Sequence, residues 1–187
     1  GTLADHTSRL TEQPIRLPGF TPSLSLARDL EATPELERPA GLLMDNGLGG
    51  FSPDGKEYVI YLQPGQHTPH PWVNVIANPQ FGFLVSEAGA GCTWAENSGE
   101  NRLTPWRNDP LTDLPGEALY LRDEETGLVW SPTLMPAGGE TACLIRHGAG
   151  YSTFETQSHG LNQHLRLFAV TDAPVKIVRL RLENLST

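Results

Sequence analysis

In the stretch Lys176–Asn184, Val178, Leu180 and Leu182 alternate with Arg179, Arg181 and Glu183. A period of two puts alternate side chains on opposite faces of a strand, whereas an amphipathic helix needs apolar residues three and four apart. The pattern recurs at Glu57–Gln63, where Tyr58, Ile60 and Leu62 oppose Glu57, Val59 and Tyr61. It recurs again at Gln80–Ser86, with Phe81, Phe83 and Val85 on one face, and a further long run covers Leu161–Val170. Turn formers separate the runs: Pro53-Asp54-Gly55, Gly89-Ala90-Gly91, Glu125-Thr126-Gly127, Gly138-Gly139 and Gly148-Ala149-Gly150. Such residues supply fixed or positive φ angles at hairpin bends. The 19 glycines and 16 prolines among 187 residues exceed the share of roughly an eighth that ordinary chains carry. Helical bundles, coiled coils and collagen-like repeats are thereby excluded, and an all-β, antiparallel β-sandwich is predicted over residues 41–187.

Residues 1–40 contain Pro14, Pro18, Pro22, Pro34 and Pro39 and no sustained periodicity. They are expected to form an extended lead-in, with at most one helical turn near Leu24–Leu30. Gly1–Leu10 has no starting Met, no basic n-region and no apolar h-region, so an internal piece of a longer protein is expected. At the other end a strong strand runs almost to Leu185-Ser186-Thr187, and the sandwich is expected to be truncated at its C-terminal side.

Thirteen Lys and Arg against 22 Asp and Glu give a net charge of −9. That balance disfavours a nucleic-acid partner or direct contact with an anionic membrane, both of which reward clustered cations. Cys92 and Cys143 are isolated, which fits two buried thiols better than a disulfide framework or zinc spacing. The six histidines are poorly spaced for a metal: His67 and His70 bracket Thr68-Pro69, and His159 and His164 are an odd number of positions apart. No metal or cofactor is expected. Gly47-Leu48-Gly49-Gly50 lacks a strand–helix context for dinucleotides and reads as the start of a strand or a bulge.

Cys92 to Pro115 is the chemically dense segment. It gathers Trp94 and Trp106, Arg102 and Arg107, Asn97, Asn101 and Asn108, and Glu96, Glu100 and Asp109. Flat aromatic faces beside amides and charged groups suit sugar rings, which present C–H faces and a rim of hydroxyls. The competing reading is a long loop whose indoles anchor it and whose polar groups satisfy its own backbone. Glu96 and Glu100 form an acid–base pair only if their carboxyls flank a glycosidic bond. Asp123-Glu124-Glu125, before Thr126-Gly127, reads as a solvated hairpin tip.

Several ordered strings resemble a known family. They are Asn46-Gly47-Leu48-Gly49-Gly50-Phe51-Ser52, Asp54-Gly55-Lys56-Glu57-Tyr58, Thr68-Pro69, and Pro71-Trp72-Val73-Asn74-Val75-Ile76-Ala77-Asn78-Pro79. Phe81-Gly82-Phe83, Ser86-Glu87, Trp94 to Pro110, Pro115-Gly116-Glu117-Ala118, Tyr120 to Glu124, Trp130-Ser131-Pro132, Arg146-His147-Gly148 and Pro174-Val175-Lys176 continue it. From about Asn46 to Ser186 the chain resembles the start of the phosphorylase-like region of bacterial cyclic β-1,2-glucan synthases, which belongs to glycoside hydrolase family 94.

The resemblance implies a galactose-mutarotase-like supersandwich, followed in the parent by a helical linker and an (α/α)6 barrel. The barrel carries the general-acid Asp and the site for inorganic phosphate, the co-substrate of an inverting phosphorolysis. It implies that this region holds no catalytic residue and is inactive alone. The implied partners are the parent's own barrel, a second copy in a homodimer, and a β-glucan saccharide. The implied location is the cytoplasmic face of the bacterial inner membrane. By motif position, the substrate-binding candidates are Asn97, Glu100, Asn101, Arg102, Trp106, Asn108 and Asp109. Relatives tend to carry Arg where this chain has Gly99, which removes a natural partner for sugar hydroxyls or phosphate. Two other readings stay open: a self-sufficient carbohydrate-binding module using Trp94 and Trp106, and an aldose epimerase using Glu155, His159 and His164.

Overall fold

The computed structural model describes residues 35–185. Residues 1–34 of the expected lead-in, including the turn near Leu24–Leu30, lie outside the described residues. Eleven strands run in chain order: β1 (Gly49–Phe51), β2 (Glu57–Leu62), β3 (Val73–Ala77), β4 (Phe81–Ser86), β5 (Gly91–Ala95), β6 (Leu121–Arg122), β7 (Val129–Trp130), β8 (Cys143–Gly148), β9 (Tyr151–Ser158), β10 (Leu161–Ala169) and β11 (Lys176–Asn184). They form a six-stranded sheet in the order β1-β2-β8-β9-β10-β11, a three-stranded sheet β3-β4-β5 and a short ribbon β6-β7. Every pairing is antiparallel, and no helix occurs among the described residues. The predicted all-β antiparallel class is the observed one.

Register explains the core. Ile60 pairs with Ile145, Ile145 with Phe154, Phe154 with Leu165 and Leu165 with Leu180, so one apolar row crosses five strands of the large sheet. Phe81, Phe83 and Val85 of β4 and Ile76 of β3 pack against that row as one buried cluster. At the start of the row, Gly49 faces Ile60, and a Cβ there would fall 2.3 Å from the Val59 carbonyl oxygen. The opposite face of β2 and β8 is covered too. Val59, Tyr61 and Leu144 are buried beneath Leu36 and Leu42, and the Tyr61 hydroxyl donates to the Leu36 carbonyl at 2.8 Å.

Apolar contact is non-directional, so polar groups set how the two sheets sit. Asn74 of β3 donates through Nδ2 to the carbonyls of Gly148 and Tyr151 at 3.0 and 2.9 Å. Asn78, just past β3, donates to the carbonyls of Val170 and Ala173 at 2.7 and 2.8 Å, while its Oδ1 accepts from the amides of Gln80 and Phe81. His147 adds a third link: Nε2 donates to the Trp72 carbonyl at 3.1 Å and Nδ1 accepts from Ser152 at 2.9 Å. Burial lowers the His147 pKa, so the ring is held neutral. Both cysteines are buried and free, and burial raises both thiols above the ordinary range.

At the last strand the alternation survives while burial fades. Leu180 is partly buried, but Val178 and Leu182 remain 49% and 47% exposed at the sheet's outer edge. Among the described residues, no helix is long and apolar enough to cross a membrane.

The Asn78 arrangement predicts an outcome that separates shape from hydrogen bonding. Asn78→Ala should destabilise the chain by about 2–3 kcal/mol, since it strips partners from two carbonyls and two amides. Asn78→Asp should cost at least as much despite its identical shape, because a carboxylate would face two carbonyl oxygens. Urea unfolding monitored by Trp fluorescence checks both, with the midpoint falling and the slope unchanged.

Candidate loop site at the edge of the small sheet

β5 is an edge strand, and the chain that follows folds back along it. Leu103 donates its amide to the Thr93 carbonyl at 2.8 Å, and Thr93 donates its own to the Thr104 hydroxyl at 2.8 Å. Arg102 bridges to Trp94. The unpaired edge is thereby closed, as sheets require. Trp94 lies across Gly82, its partner on β4, where a Cβ would come within 2.4 Å of the indole. Gly116 is packed as closely: a Cβ would lie 1.9 Å from the Pro105 carbonyl oxygen.

One carboxylate holds this arrangement together. Glu117 Oε1 accepts from the hydroxyls of Thr93 on β5 and Thr104 in the loop, the latter at 2.7 Å. Its Oε2 accepts from the Lys176 ammonium on β11, which also stands 4.4 Å from the centre of the Phe83 ring. Burial pushes the Glu117 carboxyl upward, but the bonds from Lys176, Thr93 and Thr104 outweigh it and hold the pKa below its ordinary value. Nearby, Ser86 donates to Asp113, whose pKa burial raises. Glu87 accepts from Thr68 and from the Trp72 amide, and its pKa is likewise raised by burial.

The candidate residues divide by what they touch. Asn97 Oδ1 accepts from the amides of Gly99 and Glu100 at 2.8 and 3.0 Å, and its carbonyl accepts from Asn101 at 3.0 Å. Asp109 accepts from the Thr112 hydroxyl and from the amides of Leu111 and Thr112, and these bonds lower its pKa. Both side chains therefore shape the loop's own turns. Arg102 donates to the Ser98 carbonyl at 2.9 Å and stands 5.8 Å from the centre of the Trp106 ring. Glu100, Asn101, Asn108 and Trp106 face outward, and no hydrogen bond engages the first three side chains among the described residues. Backbone strain gathers here: Glu96, Asn108 and Asp113 have φ of +59°, +50° and +42°, a region non-glycine residues seldom adopt.

Other candidates scatter. Glu155 and His164 stand opposite each other on β9 and β10, while His159, in the turn between those strands, stacks on Trp130 with ring centres 4.1 Å apart. The three do not converge as an acid–base set. Among the described residues, no three His, Cys, Asp or Glu side chains come together to hold a metal. Asp123-Glu124-Glu125 forms the tip of the β6–β7 hairpin, with Asp123 accepting from the Glu125 and Thr126 amides. Glu117, Lys176 and Gly116 escaped residue-level reasoning, since Lys176 lies 59 positions beyond its carboxylate partner.

Two antiparallel sheets that share one apolar core make the fold a β-sandwich. Residues 56–187 match the family model described as "Glycosyl hydrolase 94, supersandwich domain", and the chain belongs to that family. It is 38% identical over 194 aligned residues to the cyclic beta-(1,2)-glucan synthase NdvB of Rhizobium meliloti (strain 1021), an alignment covering 100% of this chain and 7% of that protein. It is 31% identical over 141 residues to the N,N'-diacetylchitobiose phosphorylase of Vibrio proteolyticus, covering 74% of this chain and 17% of the relative. With the solabiose phosphorylase of Paenibacillus borealis it shares 29% over 149 residues, covering 74% and 18%. The chain thus spans under a fifth of the length of each of these relatives.

Glu117→Gln keeps the shape of the clamp and removes its charge. It should cost about 2 kcal/mol near neutral pH, because the half-sheltered Lys176 ammonium loses its counterion. A lowered carboxyl contributes fully above its unfolded value and loses that contribution as pH falls. The stability gap between wild type and Glu117→Gln should therefore narrow below the ordinary glutamate value of 4.5. Glu87 and Asp113, whose raised values act in the opposite sense, are common to both proteins and cancel in the difference. Urea titrations of the pair near neutrality and in acid measure it.

Proposed function

We propose that this chain is the non-catalytic sandwich domain of a larger carbohydrate-active enzyme, a cyclic β-1,2-glucan synthase or glycoside phosphorylase. In that parent it packs on an (α/α)6 catalytic barrel, takes part in a homodimer interface, and lends the 96–119 loop to glucan recognition. The chemistry, inverting phosphorolysis with inorganic phosphate as co-substrate, belongs to the barrel. The domain itself holds no catalytic residue, cofactor or metal, and touches neither nucleic acid nor lipid while its parent sits at the cytoplasmic face of the inner membrane. The relatives' names, a glucan synthase and two disaccharide phosphorylases, support the substrate class.

The observation that carries this reading is the loop's outer surface. Leu103, Trp106, Leu111 and Leu114 are 57%, 39%, 87% and 46% exposed on a loop fastened at its base to both sheets. Large apolar side chains left exposed among polar groups on an anchored loop suit recognition. Trp106, with Arg102 5.8 Å from its ring centre, offers a sugar a ring face, and the same loop carries the unengaged side chains of Glu100, Asn101 and Asn108. Asn97 and Asp109 serve by fixing the turns.

An amide-resolved NMR titration with β-1,2-linked glucooligosaccharides tests it. Saturating shifts of the Trp94–Asp109 signals, abolished by Trp106→Ala, are expected; if those signals stay in place at millimolar sugar, the loop is removed from recognition. Gly99 sharpens the test. Its φ is outside the left-handed region and a Cβ would meet only Asn97 Oδ1, at 3.3 Å. That contact is tight and Asn97 Oδ1 is held by the Gly99 and Glu100 amides, so Gly99→Arg should lower the melting temperature slightly while tightening sugar binding by about tenfold, the worth of one charge-assisted hydrogen bond.

A further inference from the structure

A cavity of about 540 Å³ lies between the β6–β7 ribbon, the 131–142 segment and the end of β9. Its volume is typical of small-molecule sites. One wall is a closed polar chain. The indole of Trp130 donates to Gln163 Oε1 at 2.9 Å, and Gln163, only 1% exposed, donates through Nε2 to the Ser158 hydroxyl at 2.6 Å. Ser158 Oγ lies 2.9 Å from His159 Nδ1, and the His159 ring stacks on Trp130 at an interplanar angle of 14°. Satisfying every group assigns the hydroxyl hydrogen to Nδ1, which leaves the imidazole's own proton on Nε2.

Two hydroxyls of the lining stand unsatisfied. Ser131 and Thr156 are 5% and 7% exposed, yet Ser131 Oγ and Thr156 Oγ1 have no hydrogen-bond partner among the described residues. Both residues line this cavity. Buried polar groups are normally paired, and leaving one unpaired costs stability. A hydroxyl reaches a ligand by rotating about its Cα–Cβ bond. The charge of the lining narrows the ligand: among the described residues no Lys or Arg contributes, whereas Glu35 and Glu140 do. Carboxylates accept from hydroxyls and repel anions. Leu128, Val129 and Leu134 supply apolar surface beside them.

We propose that this cavity is a second binding site, for a neutral, hydroxyl-rich small molecule of the size of a pyranose sugar. Ser131 and Thr156 would take its hydroxyls, and the Trp130–Gln163–Ser158–His159 chain would hold the wall rigid. The site shares no residue with the loop around Trp106, so either reading stands without the other.

The test is a titration of the whole 187-residue chain with D-glucose and a β-linked glucose disaccharide, with inorganic phosphate as the anionic comparison. Observed by NMR, the sugars should saturate in the millimolar range and move the Trp130 indole N–H and the amides of Ser131, Thr156 and His159. Phosphate should leave these signals in place. Thr156→Val and Ser131→Ala should each weaken binding by about tenfold, the cost of one lost hydrogen bond. Neither should lower the melting temperature, since each removes a hydroxyl that nothing among the described residues satisfies. Trp106→Ala should leave this binding intact. The proposal is overturned if these signals ignore the sugars or follow phosphate instead. It is equally overturned if the two variants bind as wild type, or if they lose stability, which would mean that the protein itself occupies the hydroxyls.

Discussion

The two asparagines of β3 and its exit carry the relation between the sheets. A row of Ile, Phe and Leu side chains facing phenylalanines excludes water equally well over a range of sheet rotations and offsets. A carboxamide that donates to two carbonyls on another sheet is satisfied at one offset only. Asn74 reaches the β8–β9 turn and Asn78 the connection between β10 and β11. These anchor points lie at separate places on the large sheet, so together they remove the rotation that either alone would leave. Breaking one leaves buried carbonyls without partners, a larger penalty than the bond's own gain.

Everything at the loop inherits that offset. Glu117 accepts at once from Thr93 on the small sheet and Lys176 on the large one, so the clamp closes only when the sheets are correctly set. The loop's base is thus a three-point junction of β5, β11 and the 104–117 segment. Gly116 permits the junction, because the Pro105 carbonyl occupies the space a side chain would need.

Much of the scaffold is legible in the sequence, and the reasons differ by element. β11 is plain because nothing interrupts its alternation of apolar and charged residues, although the edge position leaves that alternation half-exposed. β9 is obscure because its inward positions include Ser152 and Thr156, paired with His147 and Cys143 across the sheet. Hydroxyls on the core face erase the period-two signal, and only the Gly148-Ala149-Gly150 bend hints at strands on either side. The density of aromatic, amide and charged residues between Cys92 and Pro115 marks the loop by residue type alone. What composition leaves open is which of those groups serve the loop itself. Asn97 and Asp109 do, through bonds two and three residues ahead, a local geometry their residue type permits without requiring. The Glu117–Lys176 pair spans two sheets and follows from neither local spacing nor composition.

Strain and anchoring explain each other. Glu96, Asn108 and Asp113 occupy left-handed backbone within one segment, and each such residue would relax if its surroundings allowed. The surroundings do not: Asn97 and Asp109 cap the turns, Ser86 holds Asp113, and Glu117 ties the returning chain to both sheets. Folding therefore bears the entropy of ordering this loop before any ligand arrives. A surface ordered in advance binds a weakly adhesive, heavily hydrated molecule such as a sugar at a smaller entropic cost than a loop that must fold around it. The recognition proposed for the loop therefore depends less on its exposed tip than on the asparagine-set offset between two sheets beneath it.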